Sequence, residues 1–248
     1  MRHAQNPWLK RISKSVGEPD CQKAIDTLVR EFEGSDQSLD ALSTHLGIDK
    51  IVREPLPFEG GVYEIDGKRL IKINSLSVTV RQTFSLAHEL GHLILERTFG
   101  AAVSCADDEA LERTCDKIAS ELLMPSRKAI GFADELGKQS PEKLSAVARK
   151  FGVSLQTAAQ KLHDLGVWKL GTGMWACDST PTEKWFVGQR PWNTAKPSFA
   201  AFGLALESKT PICTRERFSK GTYTELVALK AHHIGKGFVI AVVATARR

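Results

Sequence analysis

His88-Glu89-Leu90-Gly91-His92 lies inside a run, from about Ser77 to Glu96, whose apolar residues Val80, Phe84, Ala87, Leu90 and Ile94 recur at three- and four-residue steps. That period predicts a long helix buried along one side. Histidines four residues apart project from nearly the same helix face, so both imidazoles can reach one ion. Glu89 is rotated by about 100° from His88 around the axis, which sets its carboxylate beside the open position of a metal rather than on it. Two histidines and a glutamate on a buried helix destabilise the fold unless they have a partner. The chain is therefore expected to fold around a zinc ion, with His88 and His92 as ligands and Glu89 as the general base.

Catalytic zinc takes three protein ligands and keeps a fourth position for water. A third histidine six residues after His92, as in metzincins, would fall on Thr98, with Leu95 where their glycine stands. The alternative is a carboxylate from the next helix, predicted over Asp107 to Leu123 with acids in its first turn and Pro125 just beyond its end. Glu112 and Asp116 share one face of that helix. Glu112 is the candidate third ligand, and Asp116, one turn on, can hold the second nitrogen of a ligand histidine. Cys105 is the rival ligand. Glu96 reads as solvated, the acids at 107 to 109 as a helix start, and Cys115 as a small buried residue.

These two stretches, RQTFSLAHELGHLIL (Arg81 to Leu95) and LERTCDKIASELLMP (Leu111 to Pro125), resemble the ImmA/IrrE metallopeptidase family. The likeness rests on two linked motifs in the right order, AHELGH and then ExxxD running into AxELLMP, and it covers about residues 20 to 165. Departures are small: Cys115 precedes the ExxxD aspartate where a small residue is usual, and Ile118 stands where an aromatic is common. The resemblance implies zinc held by His88, His92 and Glu112, Glu89 as base and Asp116 behind the ligands. It also implies a biology in which a helix-turn-helix repressor is cut to relieve repression.

Composition adds limits rather than a function. Lys plus Arg number 34 against 29 acids, a net charge of +5, too mild to require nucleic acid. The five cysteines are odd in number, spread out and without CxxC pairing, which argues against a secreted disulfide framework. Neither a signal-peptide core nor an apolar run of membrane-spanning length is present in the sequence. A cytoplasmic protein without a membrane partner is expected.

The expected fold class is α+β, a zincin-like peptidase core over residues 1–130, a helix-turn-helix-like pair over 131–168 and a β-rich module of unknown role over 169–248. A helix is predicted over Asp20 to Phe32, and GGVYEIDGKRLIKIN (Gly60 to Asn74) predicts a hairpin turning at Asp66-Gly67. Beyond a weakened pattern at Gly131 to Gly137, Ser140-Pro141 opens a helix through Lys150, and a second runs from Ser154 to Asp164. Gly171 and Gly173 read as a linker, and FAAFGLALES, ELVALKA and GFVIAVVAT as β-rich runs. The second helix of the pair would present Gln156, Thr157, Gln160, Lys161 and Asp164, a set with one cation, so a structural or protein-docking role is favoured over DNA reading through 140–168. Trp175, Trp185, Trp192 and His232-His233 show no spacing that compels a ligand. The rival function is a DNA-binding regulator whose zinc site is not catalytic, although no clear fourth ligand closes such a site.

Overall fold

A computed structural model of the chain describes residues 24, 38–100, 108–176, 183–188, 200–220, 223–235 and 238–245. Seven helices and two sheets lie among them, a mixed α+β architecture. The chain divides into two compact units, Met1–Pro125 and Ser126–Arg248.

In the first unit, helix α1 (Leu39–His45) starts at Ser38, whose hydroxyl accepts the amide of Ala41 at 3.2 Å. Strands β1 (Lys50–Glu54), β2 (Gly60–Ile65) and β3 (Lys68–Asn74) form a sheet in the order β1-β3-β2, with β1 parallel and β2 antiparallel to β3. Asp66 and Gly67 turn the predicted hairpin with φ of 53° and 75°, the positive pair that a two-residue type I′ turn needs. The Asn74 amide donates to the Glu59 carbonyl at 2.9 Å, and Gly60 lies opposite Ile73. That register turns the backbone groups of Gly60 and Val62 away from β3, toward an edge of the sheet that no other described strand covers.

Helix α2 (Thr79–Phe99) and helix α3 (Asp108–Leu123) follow, close to their predicted spans. Ile71 and Ile73 alternate onto one face of β3 and meet Leu86, Leu90, Leu93 and Ile94 of α2 with Leu111, Cys115 and Ile118 of α3. Each of the larger buried side chains contributes about 1.5–3 kcal/mol of transfer free energy, so this core, rather than a cap, holds α2 in place. No side-chain cap bond forms at its N-cap, Val78. Of the helix predicted over 20–32 only Ala24 is described, helical and buried in this core; the rest, like Cys105, lies outside the described residues.

The second unit opens with helix α4 (Ser126–Glu135), where the sequence pattern is weakest. Helices α5 (Pro141–Phe151) and α6 (Leu155–Asp164) are the predicted pair. Ser140 and Ser154 cap them, accepting the amides of Lys143 at 3.3 Å and Thr157 at 3.0 Å, and Gly152 joins them with a left-handed φ of 64°. Strands β4 (Gly171–Ala176) and β5 (Glu183–Val187), helix α7 (Ala200–Ser208), and strands β6 (Ile212–Lys220), β7 (Tyr223–Gly235) and β8 (Phe238–Thr245) complete it. The sheet has the order β5-β4-β8-β7-β6 with antiparallel neighbours throughout. Helix α5 is tied to β7 by Glu142 Oε2 and Lys230 Nζ, 3.0 Å apart.

Two sequence expectations change here. Most of FAAFGLALES is helix α7, not a strand, because Ala200 to Ser208 contains no β-branched residue and is rich in helix formers. Its Ala201, Phe202 and Ala205 pack on Ala231, Val239 and Ala241. Gly171 and Gly173 belong to strand β4 instead of a linker. A Cβ at Gly188, where φ is 78°, would stand 2.8 Å from the Gly171 Cα, so the two backbones meet too closely there for side chains.

Candidate metal centre

His88, Glu89 and His92 sit in the middle of α2, with Leu86, Ala87, Leu90 and Leu93 to Leu95 buried around them. Glu112 and Asp116 come from α3, which lays Leu111, Cys115 and Ile118 on the same core and thereby turns its acidic face to the histidines. The Nε2 atoms of His88 and His92 are 3.2 Å apart. Glu112 places Oε2 at 3.1 Å from His88 Nε2 and Oε1 at 3.4 Å from His92 Nε2. Donors about 2.0–2.1 Å from one ion at tetrahedral angles stand about 3.3 Å from each other, and this trio has that spacing. Among the described residues it is the cluster of His, Cys, Asp and Glu groups able to hold a metal.

Behind the trio, Asp116 Oδ1 lies 2.9 Å from His88 Nδ1. A bond there fixes the ring and leaves Nε2 to face the other donors. Burial alone would lower the pKa of His88, but its bonds to Asp116 and Glu112 and the charges of Glu89 and Asp116 outweigh that and hold it at about 10. The pocket thus favours a cation between its carboxylates, a place that a divalent metal fills more fully than a proton. Glu89 is pushed up to about 7, chiefly because burial disfavours its charged form; the Glu112 carboxylate adds to the rise and His88 opposes it. A carboxyl poised there is suited to taking and returning a proton near neutrality.

The other acids and thiols near the motifs lie elsewhere. Glu96 pairs with Arg69 at 3.2 Å on the surface, and Cys115 is a buried member of the α2–α3 core. One neighbour of the site carries no sequence signal. A Cβ on Gly60 would come within 3.5 Å of Glu89 Oε1, so the start of β2 runs beside that carboxylate. On the other face of the hairpin, Lys72 is 2.8 Å from Glu54 and 5.3 Å above the Tyr63 ring. Burial, reinforced by the charge of Glu89 and opposed by Lys72, raises the Tyr63 pKa and keeps its hydroxyl neutral.

Comparisons with known proteins bear on the family and the fold. The sequence model of Peptidase_M78, described as the IrrE N-terminal-like domain, matches residues 36–163 and so includes every residue of the cluster. No curated protein matches the chain. Solved structures do match, 11 chains in all. One, a Mycobacterium tuberculosis transcriptional regulator, is 14% identical with a TM-score of 0.54, the match covering 92% of this chain and 77% of that one. At that identity the likeness concerns the fold.

Proposed function

Since the chain belongs to the Peptidase_M78 family of IrrE N-terminal-like domains, we propose that it is a zinc-dependent endopeptidase with a zincin-like core, His88, His92 and Glu112 holding the metal and Glu89 serving as general base. The observation that carries this reading is the tetrahedral spacing of the three donors, with Asp116 behind one of them and a half-buried Glu89 beside them. When bound, zinc supplies a Lewis acid that polarises a peptide carbonyl and acidifies a water molecule. Glu89 takes the proton of the attacking water on its carboxylate and returns it to the leaving amine. Asp116 accepts from His88 Nδ1 and keeps the tautomer in which Nε2 presents its lone pair. Backbone groups of Gly60 and Val62, directed to the open edge of β2, pair with an extended substrate and bring its scissile bond beside Glu89.

The substrate is proposed to be a helix-turn-helix repressor, met in the cytoplasm and cut to relieve repression; the resemblance to the ImmA/IrrE family supports this. The rival reading, a DNA-binding regulator, finds little support in the helical pair. On α6 the exposed Gln160 donates to Asp164 at 3.0 Å, the Thr157 hydroxyl lies 2.9 Å from that of Ser154, and Lys161 is half-buried. The test is metal analysis of the purified chain together with digestion of repressors encoded beside its gene. About one zinc per chain and zinc-dependent cleavage at one site are expected; a fully zinc-loaded chain that cuts no such repressor would sink the substrate assignment.

A further inference from the structure

Gly91 stands between the two histidines of α2, and glycine weakens a helix interior relative to alanine. Its backbone does not need glycine's freedom, since Gly91 is not among the residues with positive φ. What its missing side chain provides is clearance. A Cβ at Gly91 would lie 3.2 Å from the carbonyl oxygen of Cys115, 3.3 Å from its Cα and 3.5 Å from its Cβ. The first two are backbone atoms of α3, so no side-chain rotation can relieve the crowding; the helix itself would have to move outward by a few tenths of an ångström. Cys115 lies in the same turn as Glu112 and Asp116, the two carboxylates that reach across to His88 and His92.

Metal sites tolerate errors of only about 0.2 Å in ligand distance. A shift too small to disturb the apolar packing of α2 on α3 is therefore large for the donors, whose separations are 3.1, 3.2 and 3.4 Å. It would also stretch the 2.9 Å contact of Asp116 with His88. Resting on the metal reading given above, we propose that Gly91 is a positioning residue: its absent side chain sets the depth at which the Glu112 helix lies on the histidine helix, and so the geometry of the ligand set.

Alanine at 91 separates this role from a merely structural one, because the two roles move different readouts. If the glycine were incidental, Gly91→Ala would raise the melting temperature of the metal-free protein through its better helix propensity and leave zinc affinity as it was. The proposal expects the full-length variant to fold while its zinc dissociation constant, measured by competition with a chromophoric chelator, rises about 10- to 100-fold. The visible spectrum of the cobalt-substituted protein, which reports ligand geometry, should change with it. Cys115→Ala is the matched variant: it removes a buried thiol but keeps the backbone contact, so its melting temperature should fall with zinc affinity unchanged. Wild-type affinity in Gly91→Ala overturns the proposal. So does an equal loss in Cys115→Ala, which would make affinity a consequence of packing alone, and so does a Gly91→Ala chain that cannot fold. A wild-type chain that took up no zinc would instead sink the metal reading, and this proposal with it.

Discussion

At the residue, Glu89 and His92 are one helical turn apart and should fail in different ways. Glu89→Gln keeps size and hydrogen-bonding capacity but cannot accept a proton, so zinc content and melting temperature should stay near wild type while cleavage drops by about 10² to 10⁴. His92→Ala removes a donor, and zinc content should fall along with activity. A Glu89→Gln chain cutting at near wild-type rate would refute the assigned base. Protons also compete with the metal. In the metal-free protein His88 holds its proton to about 10 against an ordinary 6.5, and Glu89 to about 7 against 4.5. Both raised values favour the protonated folded state, so stability is fully present below the ordinary pKa of each group and is lost as pH rises through the folded one. Chelator-treated protein is thus expected to melt lower at pH 9 than at pH 5, while zinc affinity rises over the same range as His88 gives up its proton. Melting curves and zinc titrations across that range check both signs. His88, Glu89, His92, Glu112 and Asp116 were legible because spacings of one and four residues on a helix already encode a shared face or a fixed rotation. Gly60 beside Glu89 was not, since that approach crosses from strand to helix and no spacing along the chain records it.

At the level of elements, the hairpin was legible for a local reason: Asp66 and Gly67 can both take positive φ, and the flanking residues alternate. The helical pair was legible through Ser140-Pro141 and Ser154, each marking a helix start by its own chemistry. Helix α7 was misread because its alanines and leucines suit either state, and only the facing Ala231, Val239 and Ala241 decide between them. The open edge of β2 yields the element's own expectation. Val62 lies opposite Ile71 in a pair whose amide points outward, so Val62→Pro removes no ladder bond to β3. The variant should bind zinc as the wild type does yet cleave with a raised KM, because an extended substrate loses a backbone partner. Unchanged KM in a folded, zinc-loaded variant would remove β2 from the substrate path.

For the whole molecule, a metal bound only by the folded first unit stabilises it by mass action, about 2.7 kcal/mol when free zinc is at 100 times its dissociation constant. Calorimetry with and without chelator should therefore show one transition shifting more than any associated with Ser126–Arg248. The second unit should not turn the protein into a tight DNA reader: a mobility-shift titration of the full chain at physiological salt is expected to give weak binding, and submicromolar, sequence-specific binding would overturn the structural or protein-docking role proposed for α5 and α6. The membership of that helical pair also bears on how the gene can be cut. The family match ends at residue 163, which makes it a natural place to shorten the protein for expression. Yet Leu144 and Val147 of α5 are fully buried, Glu142 reaches Lys230 on β7, and α6 packs on β5. A fragment trimmed to the recognised family would carry these helices without the sheet that shelters them and present an adhesive apolar face to its neighbours, so insolubility of such a fragment would say nothing about the metal centre it contains.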